Sequence, residues 1–177
     1  TGAIERVGTL SKRHWRMLYS RGIVLARAKR WPEAEKDFLQ ALEFEPDQPI
    51  ILNYLGYSWV DQGVHLKRAL RMIHEAVRRR PNDGYIIDSL GWVYFRLGNF
   101  KKAVLELERA VQIRPDDPII NDHLGDAYWR VGRELEAKFQ WKRALGLKPD
   151  SSVELEVIRK LKEGLIQIKN IENPSTG

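Results

Sequence analysis

Four glycines, Gly22, Gly56, Gly91 and Gly125, recur at spacings of 34, 35 and 34 residues in near-identical settings. Two alanine series keep the step, Ala34, Ala69, Ala103, Ala137 and Ala41, Ala76, Ala110, Ala144. A proline series, Pro46, Pro81, Pro115, Pro149, keeps it as well. Small and helix-stopping residues recurring in register mark an internal repeat, and a period of about 34 residues belongs to paired helices stacked as a solenoid. Such a chain offers an extended surface in place of one closed core.

The third unit shows how one repeat folds. Ile86, Ile87, Leu90, Val93, Tyr94 and Leu97 recur at steps of three and four, the periodicity of a helix. Gly98 and Asn99 then interrupt it, and both residue types tolerate the left-handed conformation of a helix end. Phe100, Ala103, Val104, Leu107, Ala110, Val111 and Ile113 make a second amphipathic helix. Pro115 and Pro118 stop it, because proline lacks an N–H and crowds the preceding turn. So short a break makes the two helices antiparallel neighbours. Glycine in mid-helix costs about 0.5–1 kcal/mol relative to alanine. Gly91 is therefore expected where two helix backbones approach closely, with Ala103 and Ala110 facing it.

Position by position, these units resemble the tetratricopeptide repeat, whose pattern reads W-x2-L-G-x2-Y, then A, F, A and P. Unit three matches through Leu90, Gly91, Tyr94, Ala103, Leu107, Ala110 and Pro115, and unit four through Leu124, Gly125, Tyr128, Ala137, Trp141, Ala144 and Pro149. Unit two matches through Leu55, Gly56, Trp59, Ala69, Ala76 and Pro81, with one extra residue in the Gly63–Leu66 loop. Unit one has Gly22, Leu25, Ala34, Phe38, Ala41 and Pro46, but Arg21 replaces the leucine. The resemblance implies an all-α solenoid of four helix-turn-helix repeats at 15–48, 49–83, 84–117 and 118–151. Ser151 or Ser152 is placed to cap a further helix over 152–171 that covers the last repeat through Val153, Leu155, Ile158, Leu161, Leu165 and Ile168. Residues 1–14 read as the remnant of a preceding helix or repeat, and 172–177 as a disordered tail. A chain opening on Thr1 in this way reads as a piece of a longer protein.

Composition removes several kinds of chemistry. With no cysteine there is no disulfide and no thiolate metal site. No apolar run approaches the roughly 18 residues that cross a bilayer. His14, His65, His74 and His123 are scattered among the units, with no pair one helical turn apart. Glycine-rich phosphate loops, nucleophile elbows and H-E-x-x-H helices are absent. Asn121, Asp122, His123 and Asp126 come nearest to a site; they read as a polar helix face, with a shared cation as the lesser alternative. The sequence thus predicts a non-enzyme: no catalytic residue, cofactor, metal or small-molecule substrate.

In the repeat family the first helix of each hairpin lines the concave side, through its second, fifth, ninth, twelfth and thirteenth positions. On this chain the resemblance carries those positions onto Tyr19, Asn53, Tyr57, Tyr85, Asp88, Trp92, Arg96, Asp122, Asp126, Trp129 and Arg130, among others. Aromatic side chains at a polar-rimmed concave site are the usual anchors of protein contacts. Tyr57 and Trp92 are expected as open anchors. Phe95 and Trp129 divide evenly between the groove and packing between repeats. Aspartates in such a groove disfavour an acidic peptide. The expected partner is an extended or helical protein segment with apolar side chains and a Lys or Arg.

The chain carries a net charge of +6, with an excess of +3 in residues 49–83 from Lys67, Arg68, Arg71 and Arg78–Arg80. A solvated outer helix face explains this best. Nucleic-acid binding is the rival reading, weakened because that face has no interleaved aromatics to stack on bases. A repeat module attached to an enzyme elsewhere in a longer chain is the other rival. NYLGYSWVDQG, DGYIIDSLGWVYFRLG and NDHLGDAYWRVGR are similar to the repeats of alphaproteobacterial envelope tetratricopeptide proteins. That similarity implies a role in bacterial cell-envelope maintenance and a periplasmic or envelope location, with the cytoplasm as the alternative.

Overall fold

A computed structural model describes residues 14–165. The readings for residues 1–13, for the tail and for the capping helix beyond 165, Ile168 included, lie outside the described residues. Among the described residues there are nine helices and no strand. They are α1 (Trp15–Arg27), α2 (Trp31–Phe44), α3 (Pro49–Asp61), α4 (Leu66–Arg79), α5 (Gly84–Arg96), α6 (Phe100–Ile113), α7 (Pro118–Arg130), α8 (Glu134–Gly146) and α9 (Ser151–Glu163). They pair as α1–α2, α3–α4, α5–α6 and α7–α8, and α9 packs on α8.

Local chemistry sets the ends. Asp83 accepts from the amides of Tyr85 and Ile86 at 3.2 and 3.4 Å, and Asp117 from those of Ile119 and Ile120 at 2.9 and 3.1 Å. Pro49 and Pro118 occupy first-turn positions, where no N–H is required. The cap of α9 is Asp150, whose carboxylate accepts from the Val153 amide at 3.2 Å, and not either of the serines that follow it. A carboxylate there also meets the positive end of the helix dipole. Gly98 and Gly132 turn between helices at φ +74° and +81°. In unit two the longer loop uses two left-handed residues, Gly63 at +72° and His65 at +50°.

The repeat glycines work differently from a bare approach of backbones. Each faces one large side chain on its second helix: Gly22 faces Phe38, Gly56 faces Ile73, Gly91 faces Leu107 and Gly125 faces Trp141. Those four residues are equivalent, and all are fully buried. A methyl group on Gly91 would lie 2.5 Å from Leu107 Cγ and 3.3 Å from its backbone nitrogen. The glycine is the hole into which the large residue inserts. Burying such a side chain is worth about 1.5–3 kcal/mol, more than the glycine costs the helix. In unit one, Arg21 replaces the apolar contact with an ion pair, donating through Nε and Nη2 to Asp37, each at 2.6 Å. The eighth residue of α9, Ile158, stands where α7 has Gly125. A second helix of the same pattern would find no hole to fill there.

Successive first helices touch one another, α3 on α5 and α5 on α7, whereas successive second helices stand farther apart. The first helices therefore form the inner, concave row and α2, α4, α6 and α8 the outer one. A continuous core runs between the rows from Leu18 to Val157.

Candidate partner-binding groove

The open part of the concave side is a groove of about 710 Å³. α1 supplies Ala26 and Arg27, α3 supplies Asn53, Tyr54, Tyr57 and Asp61, α5 supplies Tyr85 and Asp88, and the start of α7 supplies Ile119 and Ile120. Four residues expected in the groove, Asn53, Tyr57, Tyr85 and Asp88, thus meet on one surface. Tyr57 is half-buried; burial, then the nearby Asp88 and Asp61, push its phenol pKa up, so it stays a neutral donor. Tyr85 is 50% exposed, and the Arg114 guanidinium both donates to its hydroxyl at 2.7 Å and lies 4.6 Å from its ring centroid. Asn53 Oδ1 is shielded and has no hydrogen-bond partner. Arg96 donates to the Asp61 carbonyl at 3.1 Å and so closes the C-terminal end of α3. Arg130 is half-buried on α7.

Sequence reasoning missed Trp31 and Tyr54, which also line the groove. Tyr54 follows Asn53 on α3, one step outside the five groove positions. Trp31 opens α2, a second helix, where no groove residue was expected. Tyr19 belongs to the core instead: its ring lies 6.1 Å from Phe38 and 6.2 Å, edge-on, from Tyr54.

Toward the C-terminus the concave side is filled by the chain itself, and four expected groove residues are drawn into that filling. Trp92 is stacked with Phe95, at 4.9 Å and 5°, and with His123, at 4.1 Å and 13°. With these two stacking contacts and its half-buried position, Trp92 serves packing rather than an open anchor site. His123 in turn bonds through Nδ1 to Asp88 Oδ1 at 2.9 Å. Asp122 and Asp126, expected as open carboxylates, are 8% and 4% exposed. The Lys160 ammonium, from α9, donates to both oxygens of Asp122 at 2.9 and 2.8 Å and to Asp126 Oδ2 at 2.8 Å. It stands where a metal ion bridging these carboxylates would have to sit. Trp141 Nε1 donates to the other Asp126 oxygen at 2.9 Å. Trp129 lies under the turn at Gly164, whose φ of +73° brings the backbone onto the indole ring.

This buried cluster has shifted protonation. Burial and the Asp122 charge push Asp126 up to about 6, against the pull of Lys160. Burial lowers His123, but the Asp88 carboxylate more than offsets it, so the imidazole is more basic than usual. Lys160 is likewise raised, as Asp126 and Asp122 outweigh its desolvation.

On the outer row, part of the basic excess is already neutralised. Arg78 and Arg79 each bond Glu75 at 2.7 Å, Arg79 also reaches Asp47, and Arg80 lies 3.7 Å from Asp83.

Sequence models described as "Tetratricopeptide repeat" and "TPR repeat" match residues 2–49 and 91–132. A TPR repeat-containing protein of Pseudomonas aeruginosa is 33% identical over 82 residues, 46% of this chain. The match spans 14% of that protein's length. Among solved structures, residues 41 to the end of MamA from Desulfovibrio magneticus RS-1 superpose with a TM-score of 0.66 at 23% identity, covering 77% of this chain and 78% of that one. The first TPR of Spaghetti (RPAP3), bound to the HSP90 peptide SRMEEVD, gives 0.57 at 22% identity, covering 64% and 90%. At these identities the structural likeness is one of fold. Repeat spacing, hairpin seam and these matches agree that the chain is a tetratricopeptide-repeat protein, a solenoid of a kind that typically serves as a non-catalytic interaction module.

Proposed function

We propose that this chain is a non-enzymatic scaffold that holds a segment of a protein partner in the groove between α1, α3, α5 and the start of α7. The observation that carries this reading is the convergence of Tyr54, Tyr57, Tyr85 and Trp31 on one open concavity, rimmed by Asn53 and Asp61. Large, stiff aromatic side chains in a concave site give much contact area for little lost entropy. The RPAP3 structure shows a related fold holding a peptide. An acidic peptide of that type fits less well here, because Asp61, Asp88 and Asp117 line the groove against Arg27 and Lys29. An apolar segment with a basic residue is the better match.

A photo-crosslinking residue at Tyr57 or Tyr85, introduced in the native organism, should yield a protein adduct, and one at Lys67 on the outer row should not. Adducts from Lys67 alone would refute the assignment of the groove. We place the parent protein at the bacterial cell envelope or periplasm, a reading supported by the similarity of the NYLGYSWVDQG-type stretches. Fractionation that leaves the protein wholly with the cytoplasm refutes that placement.

A further inference from the structure

In units two to four charge is divided between the two rows of helices, whereas in unit one the inner α1 carries three Arg and no acid and the outer α2 carries Lys36 against Glu33, Glu35, Asp37 and Glu43. The outer helices α4, α6 and α8 together carry eleven Lys and Arg against five Glu, a net of +6 that equals the charge of the whole chain. The inner helices α3, α5 and α7 carry four Asp, Asp61, Asp88, Asp122 and Asp126, against Arg96 and Arg130. Lys67, Arg71, Lys101 and Lys142 on the outer row are exposed, and no ion pair holds them among the described residues.

Within this basic face three large apolar side chains stand out into solvent. Leu135 is 86% exposed, and Phe139, one turn further along α8, is 61% exposed. Leu105, in the position on α6 that Phe139 holds on α8, is also 61% exposed. Units one and two have Lys36 and Arg71 at that same position. Along the outer row the face thus passes from net acidic on α2 to cationic on α4 and to mixed cationic and apolar on α6 and α8. Among the described residues no helix covers it.

From this we infer that the outer face of α4, α6 and α8 docks onto an anionic lipid surface, with Lys67, Arg71, Lys101 and Lys142 at the headgroups and Leu105, Leu135 and Phe139 entering the acyl boundary. The row is convex, and a protruding face suits a broad, yielding surface better than a peptide, which needs a groove to enclose it. Basic residues beside large apolar side chains are the pattern of interfacial binding, in which charge attracts the surface and apolar insertion holds it. A nucleic acid would use the charge but not Leu105 or Leu135, which have no ring to stack on a base. The inference is independent of the groove: a molecule lying on its outer row still turns its concave side to partners in solution.

The test is co-sedimentation of the 177-residue chain with sucrose-loaded vesicles of equal parts phosphatidylglycerol and phosphatidylcholine, and with pure phosphatidylcholine vesicles. Wild type should pellet with the anionic vesicles and stay in solution with the neutral ones. Leu105→Ser/Leu135→Ser/Phe139→Ser should lower partitioning at least tenfold, as should Lys67→Glu/Arg71→Glu/Lys101→Glu/Lys142→Glu. Phe139→Glu alone should reproduce part of the apolar loss. All these positions are exposed, and helicity by circular dichroism verifies each fold. Tyr57→Ala should bind vesicles as wild type does, which separates this result from the fate of the groove. Equal binding to both vesicle types, or no binding at all, overturns the inference. So does an apolar variant that partitions like wild type, in particular one that still captures single-stranded DNA at low salt: the face would then be a polyanion site.

Discussion

Replacing Gly91 by alanine tests the hairpin seam, because two effects of opposite sign meet there. Alanine improves helix propensity by about 0.5–1 kcal/mol. Against that, the new methyl carbon would lie 2.5 Å from Leu107 Cγ and 2.8 Å from Cδ2. No side-chain carbon tolerates such a distance, and Leu107 is fully buried with nowhere to retreat. Overpacking of this kind costs about 1–3 kcal/mol, so Gly91→Ala should destabilise by a net of about 1 kcal/mol or more. Leu107→Ala alone should cost about 2–5 kcal/mol through lost burial and the cavity left behind. The double variant is decisive: the methyl at 91 then enters the space vacated at 107. It should be more stable than the sum of the single effects predicts, by a coupling of about 1 kcal/mol or more. Urea unfolding followed by far-ultraviolet circular dichroism measures all four proteins. Gly98→Ala is the control. Nothing lies within 4 Å of a methyl group there, and its cost arises from φ +74° alone. Loss of Leu107 should not relieve it. Additive single effects, or a Gly91→Ala protein more stable than wild type, would refute the account of the glycine as a hole filled from across the hairpin.

Three further outcomes follow from the buried cluster. Lys160→Met strands two carboxylates without their cation, a loss that in a closed interior costs about 3–5 kcal/mol; because α9 buries only Val157 and Lys160, undocking should cap the cost, so α9 amides should lose hydrogen-exchange protection while α5 and α6 keep theirs. Asp126 is pushed up to about 6 from 3.8, so its proton stabilises the fold fully below pH 3.8 and that stabilisation is gone above about 6; the melting temperature of wild type minus that of Asp126→Asn should therefore fall from pH 4 to 6.5, and a flat or rising difference contradicts the shift. Glu75, drawn down to about 2 by Arg78 and Arg79, has the opposite sign but is common to both proteins and cancels. Trp92→Ala removes the stacks with Phe95 and His123 and should cost about 2–3 kcal/mol in urea unfolding, below the range for a fully buried tryptophan because Trp92 is half-buried; an unchanged midpoint would return Trp92 to the list of open anchors.

The architecture was legible because the repeat writes each packing rule four times. Any one of Gly22, Gly56, Gly91 and Gly125 is an ambiguous mid-helix glycine; in register they can only be a seam. What the spacing did not show was the content of that seam. Phe38, Ile73, Leu107 and Trp141 differ in size and shape, so no identity recurs at their position to mark them as the partners of the glycines. The cap of α9 was missed by one residue for a related reason: aspartate and serine are both good N-caps, and Asp150 sits directly before two serines.

The groove was legible in its first half and hidden in its second, and the difference lies in sequence distance. Asn53, Tyr57 and Tyr85 line the open groove on adjacent first helices, with Asp88 buried at its floor, so position within the repeat is enough to place them. Asp122 and Asp126 obey the same positional rule, but their environment is decided by Lys160, 38 and 34 residues further on. Lys160 reads locally as one more cation on the polar face of α9, and periodicity offers no means of pairing it. Asp88 and His123 are separated by 35 residues in the same way, and their bond makes the floor of the groove continuous with the buried charge beneath α9. A positional rule taken from repeats thus predicts which way a side chain points. It does not predict whether the next helix arrives with the opposite charge, and in this molecule that second question separates the open groove from the closed end of the solenoid.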